Sequence, residues 1–162
     1  MERITPKGLI TNGTQYDFDL LIFATGFDAM TGTLLKIDIQ GRGGITLAEK
    51  WSAGPVTYLG LAIDGFPNFF TVSGPGSPSV LSNMIVTIEQ HVNWIMDCLD
   101  TMQARQTATI EATETASSDW VKAGNAIAAG TLFPTCNSWY LGANVPGKPR
   151  IFMPYVGGFP SY

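Results

Sequence analysis

Two stretches of the sequence predict a mixed α/β fold. Around Asn12-Gly13 two short apolar runs face each other across a two-residue turn signal, the mark of a β-hairpin. Farther along, Ile85, Ile88, Val92, Ile95, Leu99 and Met102 recur at spacings of 3, 4, 3, 4 and 3, which traces one stripe of an α-helix.

In chain order, the hairpin spans residues 8 to 26. Gly8-Leu9-Ile10-Thr11 goes out, and Tyr16 to Ala24 returns. The return run starts by alternating and becomes continuously apolar, as a strand entering a core does. Leu35-Lys36-Ile37-Asp38-Ile39-Gln40 alternates and is predicted as a half-buried strand. Gly41, Gly43 and Gly44 turn the chain, and Lys50-Trp51 precedes a further turn at Gly54-Pro55. Tyr58 to Leu61 and Phe69 to Val72 are predicted as two short strands. The striped helix is expected from residue 77 to about 105, with Ser77 as N-cap and Pro78 in the first helical position. A second helix is expected from about 114 to 129, capped by Thr113 and stopped by Gly130. A loop around Ser138-Trp139-Tyr140 and a last short strand, Arg150 to Met153, complete the chain.

The 162 residues are 45% hydrophobic but only 14% charged, against roughly a quarter in ordinary domains. With 18 Gly and 10 Pro, many segments must be turns, so the chain is either a compact core or expects other protein or a cofactor to cover apolar surface. No apolar run approaches the length of a membrane span, and residues 1 to 6 lack the apolar stretch of a signal peptide. A net charge of −4 without a Lys/Arg cluster argues against nucleic acid or an anionic membrane as partner. Cys98 and Cys136 form no close-spaced metal or redox motif, which favours a reduced, cytoplasmic chain.

Few residues offer chemistry. His91 is the only histidine, and its place on the helix flank favours a hydrogen-bonded structural role over a catalytic base. Gly74-Pro75-Gly76-Ser77-Pro78 is either a cofactor cradle or a plain turn, and it matches neither the dinucleotide fingerprint nor a P-loop. Trp139 is either a loop anchor or a ligand clamp, with one N–H donor and a broad apolar face. Lys148 and Arg150 could face a phosphate or stand solvated, and Asp28 is read as a turn cap. Met84 is either core packing or a soft contact for a planar ligand.

Three stretches in order point further. Asp19 to Ala29, with Ala24-Thr25-Gly26 at its centre, resembles a segment of flavoprotein monooxygenases with two dinucleotide domains. Phe66-Pro67-Asn68, Gly74 to Pro78 and Glu89-Gln90-His91-Val92 resemble the FAD-domain return of the same enzymes. Asn137 to Arg150 resembles the C-terminal signature of Baeyer–Villiger monooxygenases. That resemblance implies an incomplete α/β part of a two-dinucleotide-binding-domain flavoprotein. Residues 1–28 would form the edge of the NADP domain with its linker. Residues 29–162 would form the C-terminal part of the FAD domain, with the substrate bulge and the NADP-closing loop.

The resemblance also implies FAD, NADPH and O2, with a C4a-peroxyflavin that inserts one oxygen beside a ketone carbonyl to give an ester or lactone. By the same carry-over, Trp139, Thr25 and Gly26 lie at the nicotinamide nucleotide and Met84 beside the flavin, while Ser79, Val80 and Leu81 line the substrate pocket. No catalytic residue is carried over, because the family's catalytic Arg lies upstream of the Ala24-Thr25-Gly26 segment. Both glycine fingerprints are also lacking, so the chain alone is expected to be inactive and to need the N-terminal part of the enzyme as partner. The alternatives are a segment of a heteroatom-hydroxylating flavin monooxygenase and a noncatalytic binding module.

Overall fold

In the computed structural model, which describes residues 1–24 and 26–162 (Val80 by its backbone only), the hairpin forms as predicted. Strand β2 (Gly8–Thr11) pairs antiparallel with β3 (Thr14–Asp17), and Thr11 stands opposite Thr14. Asn12 and Gly13 both take positive φ, 50° and 72°, which is the backbone twist a two-residue hairpin turn needs. A strand outside the sequence expectation, β1 (Arg3–Thr5), adds to the other side of β2, giving the order β1-β2-β3.

The return run ends sooner than expected. After Asp17 the chain leaves the sheet, and Leu20, Ile22 and Phe23 are exposed rather than entering a core. Their backbone pairs with no strand among the described residues, so an apolar run suited to a sheet interior stays uncovered. The other predicted strands are corrected too. Leu34–Lys36 forms a 3-10 turn, and Gln40 alone bridges to Thr46. Residues 58 to 72 form only isolated bridges, Tyr58 to Ala62 and Ala62 to Phe70. Arg150 to Met153 places the Met153 N–H on Tyr140 O at 3.0 Å, but is no strand. Each segment is too short or too isolated to build a ladder, and side-chain burial decides its path instead.

That burial centres on α1 (Leu47–Lys50). Thr46 and Glu49 form a capping box that starts it, and the backbone N–H and hydroxyl of Thr46 hold the Glu49 carboxyl below its ordinary range. Leu47 and Trp51 pack with Ile63 and Phe66, and Leu34, Leu35, Ile39 and Phe69 close around them. Burying each such side chain fully is worth about 1.5–3 kcal/mol.

Helix α2 (Met84–Ala104) begins seven residues later than Ser77. Ser79 sits at φ 49°, a left-handed conformation that breaks a helix, and a 3-10 turn, Ser79–Leu81, fills the gap. Asn83 is the cap, its Oδ1 accepting from the N–H groups of Ile85 and Val86. The helix presents a different face inward from the one the stripe predicts. Thr87 and His91 are buried, and Trp94 meets the rings of Tyr58 and Phe70 at 6.5 and 6.2 Å. Ile85, Ile88, Val92 and Leu99 are exposed, Ile85 by 71%. Helix α3 (Glu114–Ala129) matches its prediction at both ends, with Thr113 Oγ1 accepting from Ala116 N–H and Gly130 at the C-cap.

Candidate functional site

The Gly74 to Pro78 segment is a structural knot rather than a cradle. Gly76 N–H donates to Met153 O at 2.6 Å, and Gly76 O accepts from Trp120 Nε1–H at 2.9 Å. Pro75 O accepts from the Thr57 hydroxyl, Gly74 O from the Ser77 hydroxyl, and Ser77 O from Tyr155 N–H. The Gly76 N–H is thus spent on Met153 O and the Ser77 N–H on Gly74 O, so neither faces a ligand phosphate. Ser77, buried, serves this knot and not the helix cap.

His91 is held just as inwardly. Its Nδ1 accepts from Ser73 N–H at 3.1 Å, so the neutral ring carries its proton on Nε2 and donates it to Tyr162 Oη at 3.0 Å. The Tyr162 hydroxyl in turn donates to Leu59 O. Burial lowers the His91 pKa and raises that of the Tyr162 phenol, so both stay neutral.

An open groove of about 690 Å³ lies between Ala24–Ala29 and Asn137–Asn144. It is lined by Gly26, Phe27 and Trp139, with Asn137, Ser138 and Asn144 as the polar side chains. Gly26 has φ 79°, and a Cβ there would stand 3.5 Å from Asn144 Nδ2, so glycine leaves this wall open without strain. Phe27 is 88% exposed. Trp139 opens a 3-10 turn, Trp139–Leu141, in which Ser138 Oγ accepts from Tyr140 N–H and Gly142 closes the turn at φ 70°. Its ring stays 37% exposed and leans on Tyr140 at 4.2 Å; Tyr140 is anchored in turn by Phe133 and Phe152. The groove therefore offers a fixed aromatic face and amide groups. Among the described residues no Lys, Arg or His lines it. Such a surface suits a planar ring with hydrogen-bonding edges, and among the described residues holds no group poised for proton transfer or nucleophilic attack.

Of the sequence-predicted residues, Gly26 and Trp139 meet in this groove. Thr25 lies outside the described residues. Ser79, Val80 and Leu81 form the 3-10 turn before α2, away from the groove lining; Ser79 is buried with its hydroxyl on Met30 Sδ at 3.8 Å, and Leu81 is exposed. Met84, half-buried, starts α2 beside that turn. Lys148 does not stand solvated: its Nζ donates to Asp28 Oδ1 and, at 2.7 Å, to Thr31 Oγ1. Arg150 donates to Asn137 Oδ1 at 2.6 Å. Sequence reasoning missed Asn144, whose Nδ2 donates to Phe27 O at 2.8 Å across 117 residues, a tie with no local signal. Cys98 and Cys136 are free thiols, and no group of three metal-ligating side chains occurs among the described residues. No helix among them is long and apolar enough to cross a membrane.

The comparisons give this geometry its context. A Baeyer–Villiger monooxygenase from Pseudooceanicola batsensis is 42% identical over 98% of this chain, which covers 29% of that enzyme. The chain is a homologue of one segment of the Baeyer–Villiger monooxygenases. It spans about 30% of the relatives it matches. A steroid monooxygenase solved with NADP bound is 53% identical over 98% of the chain, which covers 30% of it, at a TM-score of 0.82. The enzyme abbreviated OTEMO, solved in complex with FAD and NADP, is 37% identical over 99% of the chain and 30% of its own, at a TM-score of 0.86. The α/β architecture is thus that of part of an FAD- and NADP-binding monooxygenase. A phenazine N-monooxygenase from Lysobacter antibioticus is 39% identical over the whole chain and 30% of its own length. No family model matches the chain.

Proposed function

We propose that this chain is the cofactor- and substrate-facing segment of an FAD- and NADPH-dependent Baeyer–Villiger monooxygenase that uses O2 to convert a ketone to an ester or lactone. The observation that carries the reading is the groove in which Gly26 and Trp139 meet. In this reading the Trp139 face stacks on the nicotinamide ring, Gly26 admits it closely, and the Asn137 and Asn144 amides meet its polar edge; Thr25 is assigned to the same nucleotide. The bound nicotinamide nucleotide supplies the reducing equivalents, and FAD supplies the oxygen chemistry. Trp139 orients and excludes water; it moves no proton.

Only the nicotinamide end fits. Among the described residues the groove has no lining cation for a phosphate, and the Gly76 and Ser77 N–H groups are used internally. The nucleotide phosphates and the FAD pyrophosphate therefore belong on further polypeptide of the same enzyme, its partner here. Residues 1–28 are assigned to the edge of the NADP domain and 29–162 to the FAD domain. Met84 is assigned to the flavin and Ser79, Val80 and Leu81 to the ketone, all in a reduced cytoplasmic setting. The exposed helix face of Ile85, Ile88 and Val92 supports a segment covered by further polypeptide, since a helix interior to a larger enzyme keeps such a face covered.

A second reading, oxygen transfer to a ring nitrogen, is favoured by the likeness to the phenazine N-monooxygenase. The test is to supply the chain with FAD, NADPH and phenylacetone. No ester is expected from the chain alone; robust ester formation would overturn the assignment of the phosphate and oxygen chemistry to other polypeptide.

A further inference from the structure

The Lys148 side chain spans 120 residues of sequence to reach Asp28 and is only 12% exposed. An ammonium so far from water needs its charge matched, and Asp28 matches it while buried Thr31 takes a second proton donor. The stem of the same side chain lies across Gly142: a Cβ at Gly142 would come within 2.9 Å of Lys148 Cδ. Gly142 is the left-handed residue that closes the Trp139–Leu141 turn. Lys148 thus grips that turn with its stem and the Asp28 segment with its head. Asp28 lies two residues beyond Gly26, between Phe27 and Ala29, which line the groove wall opposite Trp139. Asn144, with its hydrogen bond to Phe27 O, is a second and uncharged tie between the same two walls.

We infer that Lys148 is a positioning residue whose clasp on Asp28 and Thr31 sets the distance between Trp139 and Gly26, and so holds the groove at the width a nicotinamide ring requires. The inference rests on the proposed nucleotide reading of the groove. Its energetic logic is that of a paired, poorly hydrated charge. Removing the Asp28 charge leaves the poorly hydrated ammonium uncompensated, and removing the ammonium frees the part-exposed Asp28 to water, so either change opens the clasp. An open clasp leaves Asn144 as the direct tie, and the Trp139 turn gains freedom.

The experiment is hydrogen exchange followed by mass spectrometry on this chain set in place of the homologous segment of the Pseudooceanicola batsensis enzyme, so that the phosphate-binding polypeptide is present, with and without NADP⁺. The variants are Lys148→Met, Asp28→Asn and the charge-swapped pair Asp28→Lys with Lys148→Asp. Each single variant is expected to speed exchange in residues 137–145 about tenfold, an opening of local rather than global kind, with α3 unchanged. The swapped pair is expected to restore slow exchange, which a mere loss of packing does not predict. NADP⁺ is expected to slow exchange of 137–145 in the wild-type chain and to do so less in Lys148→Met. If Lys148→Met does not fold, Asp28→Asn carries the same test with the Lys148 stem intact. Exchange in 137–145 that is unchanged in the single variants, or that rises equally in α3, overturns the inference, and so does equal NADP⁺ protection of wild type and variant. Loosening by the variants without any NADP⁺ effect on the wild type keeps the clasp and overturns the nucleotide reading instead.

Discussion

Acid should loosen the C-terminal segment through His91. The ring is buried, its Nδ1 faces the N–H of Ser73, and its Nε2 proton goes to Tyr162. Protonating Nδ1 would set donor against donor and place a charge where no carboxylate or cation contributes among the described residues; the titratable group that meets the ring is the Tyr162 phenol. Burial holds the folded pKa below the ordinary 6.5, so the unfolded chain takes up this proton first as pH falls. The contribution is complete above pH 6.5 and is lost as pH drops from there to the folded value. The loss cannot exceed about 1.4 kcal/mol per pH unit, the limit for one proton. Urea unfolding of the wild type and of His91→Gln between pH 8 and pH 5 isolates it, because the carboxylates common to both cancel. The stability difference is expected to be flat above pH 6.5 and to shrink below it. Parallel curves for the two proteins across that range would refute the argument.

Three further outcomes follow from the packing. Lys at Ile88 and Val92 (Ile88→Lys, Val92→Lys) should each shift stability of the chain by no more than about 0.5 kcal/mol in urea melts, since both side chains are exposed; a buried stripe would lose about 2–5 kcal/mol per site when cut back. Trp120→Phe keeps most of the ring stacked on Tyr155 but strips Gly76 O of its donor, at a cost of about 1–3 kcal/mol read by thermal melting. Gly60→Ala forces a side chain onto φ 70° with Ser77 N only 2.6 Å from the new Cβ. It should cost more than the roughly 1–2 kcal/mol of left-handed strain alone, and near-wild-type melting would contradict the close approach of these loops.

Local chemistry made some elements legible. Asn12-Gly13 carries the hairpin turn in its own φ preference, and Thr113 and Gly130 mark both ends of α3. Thr46 and Glu49 spell a capping box at the start of α1 in local sequence alone. Periodicity established that residues 85 to 102 are helical, but it cannot say which side is covered. Thr87, His91 and Trp94 face this chain, while the more apolar stripe faces away. Nor could it place the start of α2, because the left-handed Ser79 carries no compositional signal. The run from Leu20 to Phe23 has the composition of a buried strand, and it stays exposed because no neighbouring strand is present to pair with it among the described residues. At the site, Trp139 was legible through its motif. Asn144 on Phe27 and Lys148 on Asp28 join residues 117 and 120 positions apart, and only the folded chain brings them together.

The most direct test is a chimera in which this chain replaces the homologous segment of the Pseudooceanicola batsensis enzyme, to which it is 42% identical over 159 residues. The product is measured from phenylacetone with NADPH and O2. The account predicts a flavin-loaded protein that forms ester, and loses most of that activity with Trp139→Ala. A folded chimera that holds no flavin, or that holds it and forms no ester, would contradict it.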